Sequence, residues 1–99
     1  MEIYIKNYDT YMSILNNEKK FEGRLFIERF YEIKKNKKIK FINKSNNCFC
    51  NKTVKYCEVY NNIHDFAIKT NNIYYKNIFN KYYSTEKQAK YKVLIIYLY

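Results

Sequence analysis

The sequence has no proline and no tryptophan, one glycine, Gly23, and one histidine, His64. Without proline, no turn is set by a locked φ. With a single glycine, left-handed turns must fall to another residue, and asparagine tolerates that region best. One glycine also excludes the G-x-x-x-x-G-K-[ST] and G-x-G-x-x-G phosphate loops, and one histidine excludes His-Glu-x-x-His. No cofactor is expected. Acids are scarce, 9 Asp+Glu against 19 Lys+Arg. The longest apolar run, Val93 to Tyr99, is far short of the roughly 20 residues that span a bilayer. The start, MEIYIKNYD, lacks the apolar core of a secretory leader. The expectation is an intracellular protein with reduced thiols and no membrane partner.

The cysteines, Cys48, Cys50 and Cys57, form an odd set. His64 would bring the donors to four, but Cys-x-Cys is not the usual zinc-knuckle spacing. No metal is expected, and the thiols read as small, half-buried side chains. His64 reads as structural or solvated.

What the chain does have is positive charge and tyrosine. The formal charge is +10 on 99 residues, with thirteen tyrosines and seven phenylalanines. The expectation is a monomeric single domain, 1–99. Such charge favours a polyanionic partner, nucleic acid first. An AT-rich coding sequence would inflate Lys, Asn, Ile and Tyr together, yet the lysines are cationic whatever their origin. Lysines interleave with tyrosines at Lys34 to Lys40, Lys52 to Tyr56 and Tyr74 to Tyr83. An exposed tyrosine can stack on an unpaired base for about 1–3 kcal/mol.

Periodicity orders the elements. Glu2 to Lys6 alternates as a strand. Tyr8, Tyr11, Met12 and Leu15 recur at helical spacing behind a cap at Asp9 or Thr10, ending at Asn16-Asn17. Glu18 to Leu25 reads as a strand with Lys20, Glu22 and Arg24 on one face and Phe21 on the other. Phe26, Phe30 and Ile33 suggest a short helix or helical turn, and Asn36 a turn. Lys37 to Asn43 is a strand, Asn43 to Asn51 a hairpin loop, and Thr53 to Tyr60 the most β-like segment. Asn61 or Asn62 caps a helix that buries Ile63, Phe66 and Ala67. Ile73 to Tyr83 fits a helix weakened by asparagine. Ser84 caps another short helix, and Val93 to Leu98 reads as a strand buried on both faces. The fold class is therefore α+β, with short helices packed around a small mixed β-barrel that shelters its sheet edges.

The densest chemistry lies in Ile14 to Leu25, where Lys19, Lys20, Glu22 and Arg24 flank Gly23. A glycine inside a strand lets another backbone or a ligand approach. A lysine beside a glutamate is either a base tuned by burial or a charged anion donor. Glu22 and Arg24 can pair, or can present an acceptor and a donor fork to a base or phosphate. The same residues would also serve as an ion-pair cluster that fixes the strand.

Ile14-Leu15 followed by Lys19, Glu22 and Arg24, a K-x-x-E-x-R pattern, resembles the ASCH family of the PUA-like superfamily. IKKNKKIKF at Ile33 to Phe41, the helix at Tyr60 to Ala67, and YYSTEKQAKYKVLIIYL at Tyr82 to Leu98 follow in the family's order. Asn17 stands where the family has glycine, Asn36-Lys37 where it has Gly-Asp, and Lys92-Val93 where Gly-Val often opens the last strand. The resemblance implies a small barrel with a cleft beside the K-x-x-E-x-R segment that binds RNA or a modified nucleoside. The binding residues would be Lys19, Lys20, Glu22 and Arg24, with Tyr82 and Tyr83 near the cleft. Some members resemble amidohydrolases of acylated cytidines. In that form Lys19 and Glu22 would be catalytic, Glu22 standing where the family has a hydroxyl, and Asp65 is the acid in the helix after the long strand. A third reading is a viral or accessory protein that binds another protein and keeps only the fold.

Overall fold

A computed structural model describes residues 1–99. The strands are β1 (Glu2–Ile5), β2 (Phe21–Leu25), β3 (Lys38–Asn43), β4 (Phe49–Tyr60) and β5 (Val93–Leu98). The helices are α1 (Tyr8–Leu15), α2 (Ile63–Thr70), α3 (Ile73–Tyr82) and α4 (Thr85–Lys90), with a 3-10 turn at Glu28–Phe30. The strand order is β1-β3-β4-β5-β2. β1 runs parallel to β3 and β3 antiparallel to β4, so the sheet is mixed. The α+β class with a small mixed sheet and short helices is as expected. No helix is long and apolar enough to cross a membrane.

The chain forms two compact units: Met1–Glu22, Ile33–Cys57 and Ile96–Tyr99 make the first, and Gly23–Glu32 with Glu58–Ile95 the second. In the first, α1 packs on β1 and β3. Ile3, Ile5, Tyr11, Ile14, Ile39, Phe41 and Val54 are buried there. β1 matches β3 as Ile3 to Phe41 and Ile5 to Asn43, so their buried residues fall on one face. In the second unit α2 and α3 pack together. Tyr60, Phe66, Tyr75, Phe79 and Tyr83 follow one another ring to ring, with centroids 4.6–6.3 Å apart.

Asparagine supplies the punctuation that glycine and proline do not. Asn17, Asn36, Asn47 and Asn71 have φ of 62°, 71°, 60° and 55°, all left-handed. Asn17 and Asn36 are two of the positions where the resemblance has glycine. Asparagine also caps helices. Asn62 accepts from the Asp65 N–H and Asn72 from the Tyr75 N–H. The cap of α1 is Asn7 rather than Asp9 or Thr10. Its side chain takes the N–H of Thr10, three residues on, as cap geometry requires.

Three boundaries differ from the periodicity. β2 starts at Phe21 rather than Glu18, because Asn17 is left-handed and the Glu18 and Lys19 N–H groups both donate to the Ser13 carbonyl. β4 starts at Phe49, within the expected loop, because the turn closes early: the Asn43 N–H reaches the Cys48 carbonyl at 2.8 Å and the Asn47 N–H the Asn43 carbonyl at 2.9 Å. Phe26 to Ile33 makes only the 3-10 turn, its N–H groups bonding three residues back. α3 is a full helix despite its asparagines.

Candidate functional site

Lys19 is placed by the way α1 ends. After the left-handed Asn17, its N–H donates to the Ser13 carbonyl at 3.0 Å, which ties it to the last turn of the helix. Lys52, from β4, braces the same corner. Its Nζ donates to Asn17 Oδ1 at 2.6 Å and to the Leu15 carbonyl at 3.3 Å, a cation at a helix C-terminus. The neighbouring Lys20 carbonyl accepts the Leu98 N–H at 2.8 Å, so β5 fixes the entry to β2.

From this anchored start the Lys19 ammonium lies 3.3 Å from Glu22 Oε1 and 5.8 Å from the centre of the Phe21 ring. The Glu22 side chain is 7% exposed and that of Lys19 22%, so the carboxylate is nearly sealed while the cation keeps access to water. Lys20 is exposed. Phe21 begins a run of rings: Tyr97 lies 6.2 Å away, and Tyr97 stacks on Tyr56 at 4.4 Å and 19°. Tyr56 is exposed. An ammonium is a hydrogen-bond donor and a positive charge, and an aromatic ring has a π-face. A phosphate-bearing base would use both.

The structure thus brings Lys19 and Glu22 together. The other expected residues fall as follows. Arg24 is on β2 in the second unit and half-buried. Tyr82 is exposed. Tyr83 ends α3, packs on Phe79 at 4.6 Å, and accepts from Gln88 Nε2 through its carbonyl at 2.9 Å. With Asn80, Ser84, Thr85 and Gln88 it lines an open pocket of about 420 Å³ in the second unit.

Phe21, Tyr56 and Tyr97 were not singled out from the sequence. Tyr97 hides within an apolar run that reads as buried on both faces. Tyr56 ends the interleaved segment Lys52 to Tyr56, but nothing there linked it to Lys19. A lysine two residues before an aromatic was the available signal for Phe21.

Gly23 has a packing role inside the second unit. Its N–H donates to the Tyr75 hydroxyl at 2.9 Å. A Cβ at this position would collide with that oxygen and lie 3.1 Å from two ring carbons. The lone glycine was expected to admit another backbone or a ligand; what approaches it is a tyrosine side chain instead.

Among the cysteines, Cys48 is exposed, Cys50 buried and Cys57 half-buried. Burial pushes the thiols of Cys50 and Cys57 above their ordinary range. His64 is exposed, its Nδ1 3.0 Å from Lys76 Nζ.

No protein-family model matches the sequence, and no curated protein matches it. Two solved structures share the fold. The crystal structure of hypothetical protein PH0355 superposes with a TM-score of 0.76 at 22% identity, covering 98% of this chain and 94% of that one. The solution NMR structure of protein PF0455 from Pyrococcus furiosus gives 0.64 at 22% identity, covering 99% and 96%. The chain therefore has the fold of these two small proteins across nearly its whole length.

Proposed function

We propose that this chain is a small RNA- or nucleotide-binding domain of the ASCH, PUA-like kind, with its basic site at the K-x-x-E-x-R segment. The observation that carries the reading is the partly exposed Lys19 ammonium, held 3.3 Å from a nearly buried Glu22 and 5.8 Å from the Phe21 ring, which begins the run Phe21, Tyr97, Tyr56. A cation fixed by a sealed carboxylate keeps its place when a ligand arrives. The neighbouring rings would take a base while the ammonium takes a phosphate. A net charge of +10 adds a long-range attraction for polyanions.

Titration of a labelled single-stranded RNA at two salt concentrations tests this. Binding is expected to weaken steeply as salt rises, with a log–log slope of about −0.7 per phosphate neutralised. Lys19→Ala is expected to weaken it more than Lys69→Ala. Absence of measurable binding at low salt rules the reading out.

The short distance between Lys19 Nζ and the Glu22 carboxylate also favours a second reading, hydrolysis of an acylated cytidine to cytidine and a carboxylic acid. Chromatography after incubation with that substrate decides it. Turnover must be lost in both Lys19→Ala and Glu22→Gln; activity that survives either change removes the mechanism.

A further inference from the structure

The first unit carries a second feature that the K-x-x-E-x-R segment does not use. Strand register places Tyr4, Ile42 and Phe49 side by side across β1, β3 and β4, since Tyr4 matches Ile42 and Ile42 matches Phe49. Directly paired residues share a face, so the three form one row. The next row on that face is Glu2, Lys40 and Asn51, and the next Lys38 and Thr53. By alternation Lys55 continues the same face. It is the face opposite to the one buried through Ile3, Ile39 and Phe41.

On this face Tyr4 is 48% and Phe49 53% exposed, whereas Ile42 between them is 7% exposed. The Lys40 ammonium sits 4.1 Å from the centre of the Phe49 ring, from the diagonal position across the strand pair. It covers one side of the ring and leaves the rest open. Lys38 and Lys55 are exposed, and Glu2 supplies the one acid in these rows.

We propose that this outer face of β1, β3 and β4 is a stacking platform for single-stranded nucleic acid, with Tyr4 and Phe49 each taking a base and Lys38, Lys40 and Lys55 taking the backbone. Neighbouring strands lie about 4.8 Å apart, so the backbones that carry the two rings are about 10 Å apart, one strand lying between them. Three lysines against one carboxylate fix the sign of the partner, and aromatic rings among lysines suit unpaired bases rather than a duplex. The inference rests on the nucleic-acid reading above and adds to it a second surface and a strand state.

The test is fluorescence anisotropy with a labelled 12-nucleotide single-stranded RNA, the DNA of the same sequence, and the RNA duplex. It is run on the intact chain and on Tyr4→Ala, Phe49→Ala, Phe49→Tyr, Lys40→Gln and Lys19→Ala. Circular dichroism checks that each variant is folded. Single strands are expected to bind more tightly than duplex. Tyr4→Ala and Phe49→Ala should each weaken binding about 5- to 150-fold, while Phe49→Tyr stays near the parent. Lys40→Gln should flatten the salt slope by about 0.7. Equal binding by RNA and DNA single strands supports the platform, and a preference for RNA supports it as well.

Tyr4→Ala and Phe49→Ala variants that bind as the parent does overturn the platform. If Lys19→Ala alone is impaired, the earlier site stands and the platform falls. If only the two ring variants are impaired, the platform stands and the earlier site falls. Duplex binding equal to single-strand binding overturns the platform, as does a dimer in sedimentation that Phe49→Ala dissolves. No binding at low salt by any form overturns both.

Discussion

Gly23 and Tyr75 form a lock that a double-mutant cycle can measure. Gly23→Ala drives a methyl group into the Tyr75 hydroxyl, and overpacking of this kind costs about 1–3 kcal/mol. Tyr75→Phe removes the hydroxyl that accepts the Gly23 N–H, and loss of one hydrogen bond costs about 0.5–1.5 kcal/mol. In the double variant the colliding oxygen is gone, and only the two ring carbons at 3.1 Å need to give slightly. Chemical denaturation should therefore show a combined loss smaller than the sum. Strict additivity would mean that the two groups do not meet. The sequence announced a close approach at its lone glycine, but not which residue approaches. Tyr75 is fifty-two positions away, and its contact is set by the packing of α3, which has no local signature. Lys19 and Glu22 were legible as a pair because they are three residues apart. The rings that continue the run from Phe21 come from β4 and β5, and only tertiary structure supplies those.

At the scale of the element, the helices and strands were mostly legible and their edges less so. β5 reads and folds as buried, and α2 buries Ile63, Phe66 and Ala67 as the helical period requires. The early start of β4 was obscured by Asn46, Asn47 and Asn51. Asn47 makes the turn, whereas Asn51 pairs with Lys40 inside the sheet. Residue type alone does not separate those two uses. The left-handed asparagines permit a test. Asn71 ends α2 with φ 55°, and its N–H returns to the carbonyls of Ala67 and Ile68. Asn71→Ala should cost about 1 kcal/mol or more relative to Asn71→Gly, because Cβ crowds the carbonyl in that region. Equal thermal stability of the two variants would show that the cap does not hold this backbone.

The whole molecule carries its charge and its buried acids in different ways. Lysines lie at the surface, so the charge acts outward on partners. Several weak acids lie inside. Burial raises the pKa of Tyr11, Cys50 and Cys57, and burial followed by the hydrogen bond to Glu58 raises that of Tyr60. Each raised value means that the unfolded chain releases its proton first. The stability these groups support is whole below their ordinary values, 9.0 for the thiols and 10.0 for the phenols, and is lost as pH rises through the folded values. Thermal melts should therefore show little change in Tm from these groups up to about pH 9 and a decline above it. Cys57→Ala should shallow the start of that decline. A Tm that rises between pH 9 and 11 would contradict the burial of these groups.

The division of the chain into two units has a consequence for how such a protein can be altered. The path passes from one unit to the other at 22/23, 32/33, 57/58 and 95/96, and three of these points fall inside β2, β4 and β5. Neither unit is a continuous stretch, so no single cut yields either one whole. A chimera or a truncation series, which moves one contiguous cassette at a time, would sever a strand at three of the four points where it divided the units. The piece to exchange is both units together, residues 1–99.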